Sequence, residues 1–128
     1  MPTAAKSQPQ SISALDGLVA AASAVGDPLR ASILRALERD SFSVTELAGV
    51  FGISQPALSH HLKRLLQANL VTNHREGTHI YYRRALAAAD DPIAEFLHGL
   101  FASLDAAGMD PSLARAVDAV HLSLIHIS

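Results

Sequence analysis

The chain has 128 residues, of which 49% are apolar, and its formal net charge is −2. This length accommodates one domain with a modest core, and the nearly balanced charge excludes a polycation that coats nucleic acid along its whole surface. Cysteine is absent, which excludes disulfides, thiolate metal sites and thiol redox chemistry and fits a cytoplasmic protein.

The N-terminal third is predicted to be helical after a polar arm. Residues 1–10 lack the apolar stretch of a signal peptide and predict a disordered arm, and no run of the chain reaches the roughly 18 apolar residues that cross a membrane. Apolar positions within residues 11–25 share one face, which predicts a first helix. Asp27 is the expected N-cap of a second helix, with Pro28 in its first turn. The polar face of this second helix is predicted to carry Arg30, Arg35 and Arg39.

Two helices joined by a tight turn are predicted next. Ser43 and Glu46 have capping-box spacing and predict the start of a short third helix that ends at Gly52. Ser54 is a favourable N-cap for the following helix, and Pro56 lies in its first turn, where a missing N–H costs nothing. Helices joined by a few residues that include glycine are typical of a helix-turn-helix, and an ordinary helical corner inside a bundle is the alternative.

The two sides of the fourth helix differ in chemistry. Its apolar stripe consists of Leu58, Leu62, Leu65 and Leu66. Its opposite side, with flanking positions, carries Gln55, Pro56, Ser59, His60, Lys63, Arg64 and Gln67. This side has two cations and no carboxylate, so phosphates and base edges can approach it without repulsion. The pattern predicts a recognition helix that lies in the major groove of DNA.

A basic β-hairpin is predicted directly after this helix. Residues 70–75 and 78–84 are β-prone and flank Glu76-Gly77, where glycine supplies the positive φ of a hairpin turn. Arg75 is expected at the hairpin tip, where it reaches a phosphate or the minor groove; a solvated charge is the alternative. Tyr81 and Tyr82 alternate in direction, so at least one of them is expected to pack on the helices.

Charge and apolar surface are both unevenly distributed along the chain. Residues 54–84 contain five cations and one anion, a local charge of +4, so the rest of the chain carries −6.

A helix is predicted from Asp91-Pro92 to about Ala107 and another from Asp110-Pro111 to about Val120. The first helix and the helix of residues 91–107 have broad apolar faces, which predict a homodimer interface. The predicted fold is mainly α with a small β-hairpin wing, a winged helix-turn-helix domain over residues 11–107 followed by a C-terminal helix or linker over residues 108–121.

Residues 26–85 resemble the ArsR/SmtB family of bacterial transcriptional repressors, in the stretches GDPLRASILRAL, FSVTELAGVFGISQPALSHHLKRLLQANLV and REGTHIYY. The resemblance implies a homodimer that binds double-stranded operator DNA and releases it when an effector, often a metal ion, binds. The DNA-binding positions expected on this ground are Ser54, Gln55, Pro56, Ser59, His60, Lys63, Arg64, Arg75, Gly77 and Thr78. His61 turns toward the edge of the core and is interpreted as structural.

The effector sites of that family are not matched. Ser43, Val44 and Thr45 stand where the family has a Cys-Val-Cys sequence, and hydroxyls are poor ligands for thiophilic ions. The family's other site needs two pairs of ligands on the helix after the wing, where this chain has Asp90, Asp91, Glu95 and a lone His98. No metal or other cofactor is therefore expected, and the effector stays open.

Two further expectations concern the C-terminal end and two rival functions. Residues 122–128, LSLIHIS, resemble one translated frame of a sequencing adapter and are expected to be non-native; an amphipathic helix or strand end is the alternative. One rival is the regulatory N-terminal domain of an S-adenosylmethionine-dependent methyltransferase. A second rival is a winged helix that contacts proteins instead of DNA. The residues present include no Gly-rich nucleotide loop and no nucleophile–base pair, so catalysis is not expected.

Overall fold

The computed structural model describes residues 2–127, with the side chains of residues 14–120. Its elements are α1 (Pro2–Val25), α2 (Pro28–Ala36), β1 (Phe42–Ser43), α3 (Val44–Phe51), α4 (Gln55–Gln67), β2 (Val71–Glu76), β3 (His79–Arg84), α5 (Ala94–Ala107) and α6 (Pro111–Ile127). The three strands form one antiparallel sheet in the order β1-β3-β2. This architecture confirms the predicted fold class, a helical domain with a β-hairpin after the fourth helix.

The starts of three helices are fixed by side chains that accept hydrogen bonds from otherwise unpaired backbone N–H groups. Asp27 Oδ2 accepts from Arg30 N at 3.0 Å at the start of α2. At α3 the capping box is complete, since Ser43 Oγ accepts from Glu46 N at 3.1 Å and Glu46 Oε1 accepts from Ser43 N at 2.8 Å. Ser54 begins α4 in the same way. All three predicted caps are confirmed.

One apolar core joins the helices to the sheet. Its largest fully buried side chains are Phe42, Ile33, Leu34, Leu47, Leu58, Leu62, Leu65, Leu70 and Val71. The stripe of α4 supplies Leu58, Leu62 and Leu65, each 0% exposed, whereas Leu66 is half-buried. Burial of a leucine side chain contributes about 1.5–3 kcal/mol, so these three residues fix which side of α4 faces outward.

The sheet differs from the predicted hairpin in two respects. A third strand, β1, pairs Phe42 with Tyr82, and sequence reasoning missed it because two residues are too short to show alternation. The hairpin loop consists of Gly77 and Thr78, one position later than predicted, and Gly77 has φ +62°. Arg75 consequently lies within β2, opposite Ile80, close to the loop but not in it.

Several helix boundaries also differ from those predicted. Helix α1 begins at Pro2 instead of residue 11, and α6 continues to Ile127, beyond the predicted Val120. Helix α5 begins at Ala94, because Asp91 accepts from the N–H groups of Ile93 and Ala94 and forms a separate turn. The predicted arm over residues 1–10 and the predicted non-native tail over residues 122–128 lie outside the residues whose side chains are described. No described helix is long and apolar enough to cross a membrane.

The polar face of α2 is not uniformly exposed as predicted. Arg39 lies beyond the end of α2, contrary to the prediction, and its side chain is 56% exposed, whereas Arg35 is only 12% exposed. Its Nη1 lies 3.0 Å from Glu38 Oε1 and 3.2 Å from Asp105 Oδ1. The prediction for Arg35 is wrong because one of its two partners, Asp105, belongs to α5, far along the chain.

Candidate nucleic-acid interface

The outer face of α4 is open to solvent along its whole length. Its exposed positions, with the N-cap, are Ser54, Gln55, Pro56, Ser59, His60, Lys63, Arg64 and Gln67. Neither Lys63 nor Arg64 makes a hydrogen bond or ion pair with any side chain that the structure describes. Because no carboxylate lies on α4, both charges are available to an external anion such as a DNA phosphate.

The first residue of α4 is held by the preceding helix. Gln55 Nε2 donates to Thr45 Oγ1 of α3 at 3.3 Å. Both side chains are exposed, so the amide is oriented without being buried. An amide presents a donor and an acceptor together, the combination that reads adenine in the major groove. Sequence reasoning missed Thr45, since only the packing of α3 against α4 brings it to Gln55.

The wing lies beside this end of α4. An open cavity of about 240 Å³ separates them and is lined by Ser43, Val44, Thr45, Gln55, Ser59, Thr78, His79 and Ile80. The structure therefore brings two predicted α4 positions, Gln55 and Ser59, together with the predicted wing position Thr78. His79 and Ile80 are additional lining residues that the sequence did not indicate, because their position depends on the loop register.

Most of the wing projects into solvent. Residues 72–80 are all exposed, and they include Arg75, Gly77 and Thr78. Arg75 has no hydrogen-bond or ion-pair partner among the described side chains. The ring of Tyr81 stacks on His74 with centroids 5.6 Å apart, and Tyr82 packs against the core, so the two tyrosines do point in different directions.

Arg84 does not belong to this exposed basic surface, although the predicted local charge of +4 included it. Its side chain is 11% exposed. Its Nη1 and Nη2 donate to the two carboxylate oxygens of Asp105 at 3.0 and 2.6 Å, and its Nε donates to Leu34 O at 2.8 Å. The Arg84 guanidinium holds the pKa of Asp105 below its usual range. The exposed cations of the segment are therefore Lys63, Arg64, Arg75 and Arg83, against the exposed Glu76.

The histidines on α4 occupy different environments. His60 is exposed on the outer face, and His61 is half-buried at the edge of the core, as predicted. His61 Nδ1 lies 3.4 Å from Arg30 Nη1. Within the part of the chain that the structure describes, no three His, Asp or Glu residues come close enough to hold a metal ion.

Residues 27–73 match the family model described as bacterial regulatory protein, arsR family. The chain is 39% identical over 70 residues to the transcriptional repressor SdpR of Bacillus subtilis (strain 168), which covers 55% of this chain and 78% of the repressor. It is 37% identical over 78 residues to the nodulation protein NolR of Rhizobium meliloti, which covers 61% of each chain. The chain thus spans less than two thirds of NolR.

Solved structures with the same fold include a homodimeric winged helix-turn-helix DNA-binding domain (fragment 1–100) of Mb0332 from Mycobacterium bovis. Its TM-score is 0.61 at 27% identity, and the match covers 77% of this chain and 82% of that domain. The crystal structure of NolR from Sinorhizobium fredii has a TM-score of 0.53 at 30% identity, covering 77% of this chain and 92% of NolR. The family model, over residues 27–73, includes the helix-turn-helix of α3 and α4 and the start of β2.

Proposed function

The chain belongs to the arsR family of bacterial regulatory proteins, and we propose that it is a homodimeric repressor that binds a short inverted-repeat operator in double-stranded DNA. The outer face of α4 carries this proposal. It is exposed, it has two cations without ion-pair partners among the described side chains, and it has no carboxylate. Its site of action is the cytoplasm, where bacterial DNA lies.

The exposed residues divide into two roles. Lys63, Arg64 and Arg75 bind phosphates and supply most of the affinity, because phosphate contacts release counterions whatever the sequence. Gln55, Ser59 and His60 set sequence preference through base edges. The ends of the surface, at Ser54, Pro56, Gly77 and Thr78, approach the sugar-phosphate backbone. The orientation of the Gln55 amide by Thr45 supports its assignment to base readout.

Helix α1 supports the proposal of a homodimer. Leu15 is 61% exposed and Val19 is 58% exposed, four residues apart and therefore on one face. The apolar residues of α5, including Phe96 and Leu100, are instead half-buried against the core of their own chain. A two-fold dimer would cover the α1 face and present two recognition helices to half-sites one DNA turn apart. The Mb0332 domain is itself described as homodimeric.

The proposal assigns no cofactor and no catalytic step to the described residues. The position of the family's thiolate site is occupied by Ser43, a residue that is 4% exposed and whose hydroxyl caps α3. A buried hydroxyl that already accepts a backbone hydrogen bond is unsuited to bind a metal ion. The signal that releases the protein from DNA is therefore left open.

A selection experiment tests this function. The full chain is used to enrich duplexes from a random library, and fluorescence anisotropy compares the enriched duplex with every single-base variant. We expect Gln55→Ala to relax the preference at one position by roughly 1–3 kcal/mol. Gln67→Ala, a matched change at the other end of the exposed face, is the control and should keep the preference. Failure to enrich any sequence, with no salt-sensitive binding to DNA, would favour a protein-contact module.

A further inference from the structure

The last residue of the wing is tied to α5 by a partly buried ion pair. Arg84 ends β3, and both of its terminal nitrogens donate to the carboxylate of Asp105 on α5. Such a two-point pair fixes direction as well as distance, because the planar guanidinium matches the plane of the carboxylate. Among the described residues this pair is the hydrogen-bonded connection between β3 and α5.

Three other groups hold the same guanidinium or its partner in place. Arg84 Nε donates to the backbone oxygen of Leu34 in α2, and the guanidinium carbon lies 4.7 Å from the ring centroid of Phe101. Arg35 Nη1 lies 3.2 Å from Asp105 Oδ1. The exposed fractions of the Arg84, Arg35 and Asp105 side chains are 11%, 12% and 28%. The pair is therefore shielded from salt and water far more than a surface ion pair.

The wing is supported at its base and not along its length. Residues 72–80 are exposed, and the contacts that orient the hairpin lie at its base, where Tyr82 pairs with Phe42 and Arg84 reaches α5 and α2. Arg75 and Thr78 lie near the far end of the hairpin, away from Arg84. A small rotation at Arg84 is consequently enlarged at the residues that face DNA.

We propose that Arg84 and Asp105 are a positioning pair through which α5 sets the orientation of the wing on DNA, an inference that rests on the proposed DNA-binding function. Neither residue contacts DNA. A displacement of α5 would be transmitted to the wing through these two hydrogen bonds, and weakening them would weaken operator binding. The pair thereby provides a physical route by which an event at α5 regulates the exposed surface.

The direction in which Asp105→Asn changes operator affinity distinguishes a positioning role from a simple charge effect. Asp105→Asn removes an anion, so electrostatic attraction alone would make the protein bind DNA more tightly. Loss of the ion pair predicts the opposite, a roughly three- to thirtyfold loss of operator affinity. The salt slope should fall toward that of Arg75→Ala, because a displaced wing loses the Arg75 phosphate contact. Asp105→Glu keeps the carboxylate and should recover part of the affinity.

A matched pair of arginines provides the control. Arg83→Gln and Arg84→Gln remove the same charge from adjacent positions of one strand, but Arg83 is exposed and makes no ion pair with a described side chain. We expect the larger affinity loss for Arg84→Gln. Arg84→Lys keeps the charge and loses the two-point geometry, so it should also bind weakly. Circular dichroism at the assay temperature determines whether Asp105→Asn folds. If it does not, Arg84→Lys is compared with the unmodified protein instead.

The experiment measures operator affinity and its salt slope for the full-length variants by fluorescence anisotropy. In an Arg75→Ala background, Asp105→Asn should cost much less than in the unmodified protein, because the wing contact is already lost. Unchanged or tighter binding by both folded Asp105→Asn and Arg84→Lys, or an affinity loss from Asp105→Asn that is as large in the Arg75→Ala background as in the unmodified protein, would overturn the positioning role. Absence of salt-sensitive binding by the unmodified protein would instead overturn the proposed function.

Discussion

Helix α4 and the wing form one surface but are held by different forces. Helix α4 is anchored by three leucines with no exposed area, whereas residues 72–80 of the wing are exposed and depend on contacts at the hairpin base. Apolar burial is strong and has no direction, while the Arg84–Asp105 pair is directional and polar. The difference teaches that the recognition helix is fixed together with the fold, and that the wing can be moved without unfolding the core.

Local stability should follow the same division. Elements with few buried apolar contacts open more easily than core helices, so amide hydrogens of β2 should exchange faster than those of α4. Of the residues of β2 only Val71 is buried, and its remaining residues are exposed. The proposed DNA-binding surface therefore combines a helix that is anchored in the core with a wing that is expected to open more easily.

The largest effect on stability should come from the anchor of α4. Leu62→Ala removes a fully buried side chain, and we expect the free energy of unfolding to fall by roughly 2–5 kcal/mol in urea denaturation. Ile80→Ala, in the wing at 36% exposure, is the control and should cost far less. Equal losses at the two positions would break the distinction between a core-anchored helix and an exposed wing.

A smaller effect is expected at the junction between the wing and the helix-turn-helix. Ser43 caps α3 and also pairs with Tyr81 in the sheet. Ser43→Ala should lower the free energy of unfolding by about 1 kcal/mol, because Glu46 N loses its acceptor. Ser103→Ala, on the exposed side of α5, is the matched control and should have little effect. A neutral Ser43→Ala would show that the cap does not stabilise this junction.

The contribution of the Arg84–Asp105 pair to stability should depend on pH through the ionisation of Asp105. Hydrogen bonding and attraction by Arg84 hold the pKa of Asp105 below its usual value, so the ionised form stabilises the folded state above the unfolded-state pKa. As the pH falls through the lowered folded-state pKa, the carboxylate is protonated and this stabilisation is lost. Asp105→Asn should therefore show a shallower acid limb in thermal denaturation below about pH 4. An identical acid limb in both proteins would contradict the ion pair.

The smallest effect is expected from another short ion pair, which joins the segment after α2 to α6. Arg39 Nη2 lies 2.7 Å from Asp118 Oδ1, but both side chains are more than half exposed. Asp118→Asn should change the free energy of unfolding by about 0–1 kcal/mol, despite a distance similar to that of Arg84–Asp105. If Asp118→Asn lowered the free energy of unfolding as much as Asp105→Asn, burial would not explain a difference in the strength of the two ion pairs.

Sequence patterns predicted the features whose determinants are local. The caps at Ser43 and Ser54 and the stripe of α4 all depend on residues within a few turns of one another, so spacing alone revealed them. The buried position of Arg84 could not be predicted this way, because its partners Asp105 and Leu34 are 21 and 50 residues away. An arginine on a β-prone run looks the same in sequence whether it faces DNA or an acid on another helix.

The predictions about DNA contacts and about the ends of the chain stay predictions. The structure exposes the predicted residues of α4 and the wing, which is necessary for binding but is not binding itself. The methyltransferase alternative and the non-native tail concern sequence outside the residues whose side chains are described.

The salt dependence of operator binding tests the central claim most directly. The logarithm of the affinity should fall linearly with the logarithm of the salt concentration, and Lys63→Ala should reduce the slope by about 0.9 while weakening binding to all duplexes alike. Arg39→Ala removes an exposed charge from the segment after α2, away from the proposed surface, and should leave the slope unchanged. Binding that is insensitive to salt, or equal slopes for Lys63→Ala and the unmodified protein, would contradict the account.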